Sequence, residues 1–182
     1  KKEEALSHYR QAVRLKENFS EAQNNLGTLL TDLGQYDEAV DMFKAALANI
    51  LYVTPAHAEG NMGWTYYKKG DRDKALMHLR NAVATNPKFC RGYEWLARIG
   101  LDSQDSDAVV IQCHKFEKFC IEGEEMADFV PKAYVQRMKY YRGLAHLQQG
   151  DLQSAATAFE QCAQVMEDGL TAKCREALEG SA

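Results

Sequence analysis

The sequence predicts an all-α fold of stacked helical hairpins, and two observations carry this prediction. A glycine, a second glycine seven residues later and an alanine five residues after that form a pattern that occurs three times. Its three copies begin at Gly27, Gly63 and Gly143. Small residues at this spacing let two antiparallel helices approach closely while large apolar residues pack between them. The chain also has only three prolines, the residue that interrupts helices most strongly.

This pattern is that of the tetratricopeptide repeat (TPR), a unit of about 34 residues that folds as a pair of antiparallel helices. TPR units stack into a superhelix in which each unit contacts only its neighbours. We therefore predict an all-α, right-handed TPR superhelix of about five to six helix-turn-helix units, closed by a C-terminal capping helix. The whole chain, residues 1–182, is expected to form a single solenoid domain.

The repeated residues place each unit along the chain. Residues 1–18 are predicted to be a repeat remnant, because Ala5, Tyr9 and Ala12 have the small-large-small spacing of a second TPR helix. Four fuller repeats are predicted near residues 20–50, 56–88, 90–120 and 133–167, and the cap near 170–179.

Two stretches depart from the usual period. Gly27 and Gly63 are 36 residues apart, so two extra residues are expected in the turn that contains Tyr52 and Pro55. The fourth repeat is degenerate, and about twelve further residues are inserted near 121–132. This insertion, which includes the apolar pair Phe129-Val130, is interpreted as a loop or a lengthened helix.

Composition excludes several function classes. The net charge of −4 and the lack of a Lys/Arg-rich block argue against a nucleic-acid partner. No apolar run reaches the roughly 18 residues that a membrane-spanning helix needs. The five histidines are scattered, and the glycines occupy helix-packing and turn positions rather than a phosphate-binding loop. We expect no catalytic residue, no metal and no cofactor.

A binding groove is the stronger prediction. In a TPR array the first helices of successive repeats line the concave surface, so residues at matching positions of those helices are its candidates. Asparagine amides can both donate to and accept from the main chain of an extended peptide. Tryptophan and arginine frequently dominate interfaces. The predicted groove residues are Asn25, Thr28, Asn61, Trp64, Tyr67, Lys68, Trp95 and Arg98.

The same residues also allow a purely structural interpretation. Asn25 and Asn61 could bond only between helices, while Trp64 and Trp95 could fill gaps between repeats. A convex binding face also stays open.

An alternative function is that of a cytosolic TPR adaptor or co-chaperone that binds peptide segments. Chaperone-binding TPRs grip a C-terminal carboxylate with lysines, asparagines and an arginine. Part of this clamp is imitated by Asn24-Asn25, Asn61 and Arg91. Glu21 and His57 stand where lysine would complete it. The full clamp is therefore not present.

The cysteines favour at least one disulfide bond, and their positions suggest two candidate pairs, of which Cys162–Cys174 is preferred. Cys90 begins the first helix of the fourth repeat and Cys120 ends its second, so antiparallel packing brings them together. Cys162 and Cys174 lie on helices expected to fold against each other, whereas Cys113 occupies a core position and is left free. The other interpretation is that all five are small buried apolar residues. Their spacing does not suggest zinc.

The order of several motifs resembles a specific family. The motifs are Asn24-Asn25-Leu26-Gly27, Gly34-Gln35-Tyr36-Asp37-Glu38-Ala39, Leu51-Tyr52 followed by Pro55, and Asn61-Met62-Gly63. Over about residues 1–120 they resemble the TPR lipoproteins of type IV pilus biogenesis, the pilotins of the PilF/Tgl family. The Tyr-x-x-Pro insertion is the most distinctive of these motifs, because an ordinary TPR lacks it.

This resemblance implies a role and a location. Pilotins of this family are non-catalytic lipoproteins that bring the pilus secretin to the outer membrane and promote its assembly into a multimer, on which twitching motility depends. The implied partners are secretin subunits, and the implied location is the periplasmic face of the outer membrane. The lipidated cysteine would lie upstream of Lys1. The resemblance implies a protein that acts as a monomer in an oxidising compartment, where disulfides persist.

Overall fold

The computed structural model describes residues 1–122, 130–165 and 169–180. Over these ranges the chain forms ten α-helices and one π-helical turn, with no strand. Their bounds are α1 Lys2–Leu15, α2 Ser20–Asp32, α3 Tyr36–Ala48, α4 Pro55–Lys69, α5 Arg72–Thr85, α6 Cys90–Asp102, α7 Ser106–Phe116, the π-helical turn Glu117–Ile121, α8 Lys132–Gln149, α9 Leu152–Ala163 and α10 Thr171–Glu179. The predicted all-α class is confirmed.

The chain divides into two compact units. Unit 1 comprises residues 1–89 with helices α1 to α5, and unit 2 comprises residues 90–182 with helices α6 to α10. The single domain expected over residues 1–182 stays a prediction.

Close helix packing in unit 1 follows from its small residues. Helices α2 and α3 form one hairpin, α4 and α5 form the next, and α1 packs on α2. A Cβ atom added to Gly27 of α2 would lie only 2.7 Å from Cε1 of the fully buried Phe43 in α3. Glycine at this position therefore lets the Phe43 ring pack directly against the backbone of α2.

Two of the hairpin turns, Gly70-Asp71 and Gly150-Asp151, combine a left-handed glycine with an aspartate that caps the next helix. Gly70 adopts a left-handed conformation with φ of 94° at the end of α4, which glycine tolerates without strain. Asp71 then caps α5 by accepting a hydrogen bond of 3.2 Å from the backbone N–H of Lys74. In the degenerate fourth repeat, Gln104 takes the left-handed conformation with φ of 58°, and Asp105 provides the cap. The hairpin therefore survives the loss of the turn glycine.

The two-residue extension lies in an ordered turn between α3 and α4. The side chain of Asn49 donates to the backbone oxygen of Asn18 at 3.2 Å and to Oγ of Ser20 at 2.9 Å. Tyr52 is buried, with 7% of its surface exposed, and Pro55 begins α4. The aliphatic residues around Tyr52 point outward, with Ile50 96% exposed, Leu51 81% and Val53 81%.

Unit 2 is cross-linked. A disulfide joins Cys90, at the start of α6, to Cys120 in the π-helical turn, with Cα atoms 5.9 Å apart. A second disulfide joins Cys162 of α9 to Cys174 of α10, with Cα atoms 5.8 Å apart. Cys113 is free and buried. The structure thus has the two expected pairs and the expected free thiol.

The insertion expected near 121–132 lies partly outside the residues that the structure describes. Residues 123–129, including Phe129, lie outside the described residues. On its N-terminal side, α7 is prolonged by the π-helical turn through Ile121, and the choice between a loop and a lengthened helix stays a prediction. Across the described ranges, no helix is both long enough and apolar enough to cross a membrane.

Candidate peptide-binding groove

The first helix of each hairpin carries its candidate residues at fixed distances from the small residue that packs on the second helix. In α4 that small residue is Gly63, whose added Cβ would lie 2.9 Å from Cγ of Leu79 in α5. The residue two positions earlier is Asn61, and the residue one position later is Trp64. The same offsets from Ala97 give Trp95 and Arg98 in α6.

In unit 1 the asparagine position forms a bridge between helices. Nδ2 of Asn61 donates to Oδ1 of Asn24 at 2.9 Å and to Oγ1 of Thr28 at 3.2 Å. This is the structural role considered above for Asn61, and its bridging partner is Asn24 rather than Asn25. Asn25 is exposed on α2. A peptide-binding role for these amides stays a prediction.

The aromatic residues of α4 form a small cluster. The rings of Trp64 and Tyr67 are tilted with centroids 5.0 Å apart, and Nζ of Lys68 lies 5.7 Å from the Trp64 ring. Both rings are partly exposed. Ring and cation contacts of this kind restrict the side chains before a ligand arrives, so less conformational entropy is lost on binding.

In unit 2 the tryptophan position is buried. Trp95 is only 9% exposed, and the Arg91 guanidinium lies 5.6 Å from its ring. Arg91 also donates to the hydroxyl of Tyr134 at 2.8 Å through Nε. Trp95 therefore offers little surface to a ligand, and its predicted binding role rests on a small area. Arg91, one of the residues that imitate the carboxylate clamp, contacts the aromatic rings of Trp95 and Tyr134 in its own unit.

Arg98, by contrast, lines an open groove of about 760 Å³. The groove lies within unit 2 and is formed by α6, α8 and the start of α10. Its lining residues are Arg98, Leu101, Asp102, Arg137, Tyr140, Tyr141, Leu144, Leu147, Gln148, Leu170 and Lys173.

Hydrogen bonds fix the polar side chains of this groove. Nε of Arg137 donates to Oε1 of the buried Glu94 at 2.7 Å, and Nη2 donates to Oε2 at 3.3 Å. Burial raises the pKa of Tyr141, while a hydrogen bond with Arg98 opposes that rise. Tyr141 is therefore a neutral phenol at physiological pH. The groove combines rigid aromatic residues with positioned guanidinium groups, a combination frequent in protein interfaces.

The groove contains residues that the sequence interpretation missed. Tyr141 and Leu144 stand at the same offsets from Gly143 that give Asn61 and Trp64 in α4, so the repeat pattern could have found them. Arg137 corresponds in the same way to Arg91. Lys173 carries no such signal, because α10 lacks the glycine-alanine pattern.

A second cavity of about 450 Å³ lies elsewhere in unit 2, between the end of α7, the π-helical turn, α8 and α9. Its lining includes the free thiol of Cys113, which donates to the backbone oxygen of Met138 at 3.4 Å. Burial raises the pKa of Cys113 to about 12, which keeps the thiol protonated and poorly nucleophilic near neutral pH. In the described part of the chain, no three His, Cys, Asp or Glu side chains are grouped to hold a metal ion.

Comparison with known proteins gives the same fold class. Two tetratricopeptide-repeat family models match the chain, one over residues 19–88 and the other over residues 131–164. No curated protein sequence matches it.

Several solved structures are similar in fold. The type IV pilus biogenesis factor PilW has a TM-score of 0.70 and 23% identity, covering 94% of this chain and 71% of PilW. PilF of Pseudomonas aeruginosa has a TM-score of 0.71 and 15% identity, with coverages of 94% and 72%. MamA of Desulfovibrio magneticus has a TM-score of 0.68 and 21% identity, with coverages of 92% and 88%.

Identities below 25% establish the fold rather than the role. The two matched ranges, 19–88 and 131–164, and the helical hairpins of both units lead to the same conclusion. This chain is an all-α TPR protein, and its fold is that of a protein-interaction scaffold.

Proposed function

We propose that this protein is a non-catalytic pilotin of type IV pilus biogenesis, which binds secretin subunits and promotes their assembly in the outer membrane. The observation that carries the proposal is the Tyr52–Pro55 extension in front of the Asn61-Met62-Gly63 helix, which resembles the motif order of the pilotin family and which an ordinary TPR lacks. The fold similarity to PilW and PilF supports it, although MamA is about equally similar in fold.

The disulfides support the proposed location. Two of the possible cysteine pairs are bonded, and structural disulfides persist chiefly in oxidising compartments such as the periplasm. A lipid anchor at the periplasmic face of the outer membrane would hold the scaffold where secretin subunits arrive. The proposed mechanism is binding, because the groove presents hydrogen-bonding and aromatic side chains.

The test is deletion of the gene in the source organism, followed by an immunoblot for detergent-resistant secretin multimers. The proposal expects the multimer to disappear while monomer remains, and a lipidated copy of the protein to restore it. A copy without the lipidated cysteine serves as the matched control for membrane targeting. Multimers at a normal level in the deletion strain would reject the pilotin role.

A further inference from the structure

We infer that the groove of unit 2 binds an extended acidic segment of the partner, in which carboxylates flank an apolar side chain. The inference rests on the protein-binding part of the proposed function and is independent of which protein supplies the segment. Three features of the groove support this inference. Its lining is positively charged although unit 2 is acidic, its guanidinium groups are held in position, and one of its walls is apolar.

The groove is positive within an acidic unit. Residues 90–182 contain ten Lys and Arg against fifteen Asp and Glu, a net charge of −5. The groove lining has the opposite balance, with Arg98, Arg137 and Lys173 against the single carboxylate of Asp102. Even when Glu94, which pairs with Arg137, is included, the groove carries a net charge of +1. An acidic segment is therefore attracted to this groove and repelled by the rest of the unit.

The Arg137 guanidinium is positioned before any ligand binds. Its ion pair with Glu94 uses two of its five N–H donors and leaves three outside that pair. The Arg137 guanidinium carbon also lies 4.9 Å from the centre of the Tyr134 ring, which holds the plane of the fork. A guanidinium fixed in this way can donate to a ligand carboxylate with little further loss of side-chain entropy.

Apolar side chains of α8 form one wall of the groove, and this wall indicates where the apolar side chain of the ligand binds. Tyr140 is partly exposed, and Phe159 supports its ring from behind with centroids 5.8 Å apart. Tyr141, which is only 9% exposed, packs beside Tyr140 with ring centroids 6.4 Å apart and offers little surface of its own. Leu144 continues this wall one turn further along α8. A groove of about 760 Å³ is large enough for a few residues of an extended chain. We therefore assign an aliphatic side chain of the ligand to this wall, between the carboxylates.

The experiment measures fluorescence anisotropy of labelled model peptides with the full, oxidised chain. The first probe is a ten-residue peptide in which Asp and Glu alternate with Leu, amidated at its C-terminus so that no terminal carboxylate takes part. The second has Lys in place of every acid, and the third has Ser in place of every Leu. We expect the first peptide to bind at least tenfold more tightly than the other two, and its affinity to fall as salt is raised.

Charge reversal locates the site. Arg98→Glu with Lys173→Glu should weaken binding of the acidic peptide at least tenfold. The matched control is Lys115→Glu with Arg175→Glu, which makes the same charge change at exposed positions on α7 and α10 outside the groove lining. Lys173→Glu alone, at an exposed side chain, provides a second test that does not depend on the Arg98 hydrogen bond to Tyr141.

Two results would overturn the inference. One is equal weakening by the groove pair and the control pair, which would mean that only overall charge matters. The other is binding of the Lys peptide or the Ser peptide as tight as that of the first probe.

The secretin assay separates this inference from the pilotin role. If wild-type protein restores the multimer in the deletion strain and the Arg98→Glu, Lys173→Glu protein restores it equally, the groove is not the site of action although the pilotin role stands. If deletion leaves multimers unchanged, the pilotin role fails, and the peptide affinities still decide the inference.

Discussion

Gly143 shows how a single missing methyl group sets the distance between two helices. A Cβ atom at this position of α8 would lie 2.4 Å from Cε1 of Phe159, a ring that is fully buried in α9. Gly143→Ala should therefore overpack the core at a cost of about 3 kcal/mol, of which improved helix propensity returns only about 1 kcal/mol. We expect the urea midpoint to fall accordingly.

Gly180→Ala is the matched control for that prediction. Gly180 follows α10 with φ of −75°, and the atom nearest to an added Cβ is 3.6 Å away. This substitution should change the free energy of unfolding by no more than about 0.5 kcal/mol. A Gly143→Ala protein as stable as the Gly180→Ala protein would show that the Phe159 ring moves aside at little cost.

Cys113 is expected to resist alkylation in the folded chain, because its thiol is buried and its pKa is raised to about 12. At pH 8 without reductant, iodoacetamide should add no group to the native protein. After denaturation without reductant it should add one group, and after denaturation with reductant it should add five. Intact mass spectrometry counts the groups. More than one adduct in the unreduced, denatured protein would mean that a disulfide of unit 2 is absent.

The same thiol makes stability depend on pH in the alkaline range. Its pKa is about 12 in the folded chain against an ordinary value of 9.0, and burial is the main cause. Between these values the unfolded chain binds fewer protons than the folded chain, so the free energy of unfolding falls as pH rises. Well below pH 9 the thiol is protonated in both states and contributes no slope. In chemical denaturation from pH 8 to 11, Cys113→Ala should show a shallower fall than wild type, and equal slopes would contradict this assignment.

At the scale of elements, the turn between α3 and α4 separates a buried residue from exposed neighbours. Tyr52 is 7% exposed, whereas Val53 is 81% exposed. Tyr52→Ala should leave a cavity under the turn and lower the free energy of unfolding by about 3 kcal/mol, because deleting a large buried aromatic ring typically has this cost. Val53→Ala removes exposed methyl groups and should have an effect within about 0.5 kcal/mol. Calorimetric melting of the two variants checks the contrast, and similar losses would mean that the turn does not use Tyr52 as its anchor.

The elements themselves could be predicted from the sequence because the repeat pattern encodes their contacts directly. Gly27, Gly63 and Gly143 each lie where a first helix meets a large side chain of the second, so a pattern of small residues was enough to locate the hairpins. The repeat pattern did not predict the role of a residue whose environment is formed by side chains that do not belong to the pattern. The burial of Trp95 depends on packing around α6, and no spacing rule reports it.

The candidate site was predictable in part for the same reason. Arg98, which the repeat position predicted as a groove residue, lines the groove of unit 2. The bridge from Asn61 to Asn24 instead of Asn25 depends on side-chain direction, which differs by about 100° between consecutive residues of a helix. Lys173 lies at the groove through the fold of α10, a helix without the repeat pattern. The repeat pattern therefore predicts where the helices lie, whereas the tertiary structure is needed to know which side chains line the groove.

At the scale of the whole molecule, covalent cross-linking is confined to one of the two units. All five cysteines lie at or beyond position 90, and both disulfides join helical elements within unit 2. Unit 1 has hairpins of the same kind without a cross-link. Disulfide bonds therefore contribute to the stability of unit 2 but not to that of unit 1, so a reductant should affect the two units differently.

Reduction should destabilise unit 2 and leave unit 1 nearly unchanged, because repeats are stabilised mainly by their immediate neighbours. Each native disulfide typically contributes about 2–4 kcal/mol, so amides of helices α6 to α10 should exchange markedly faster in reductant. Amides of α2 to α5 should keep their protection. Hydrogen exchange followed by mass spectrometry of peptides measures both. Cys162→Ala with Cys174→Ala should reproduce the effect in α9 and α10 under oxidising conditions, whereas Cys113→Ala should leave the response to reductant intact. Equal acceleration in both units would mean that they unfold as one body and that the disulfides stabilise the entire chain.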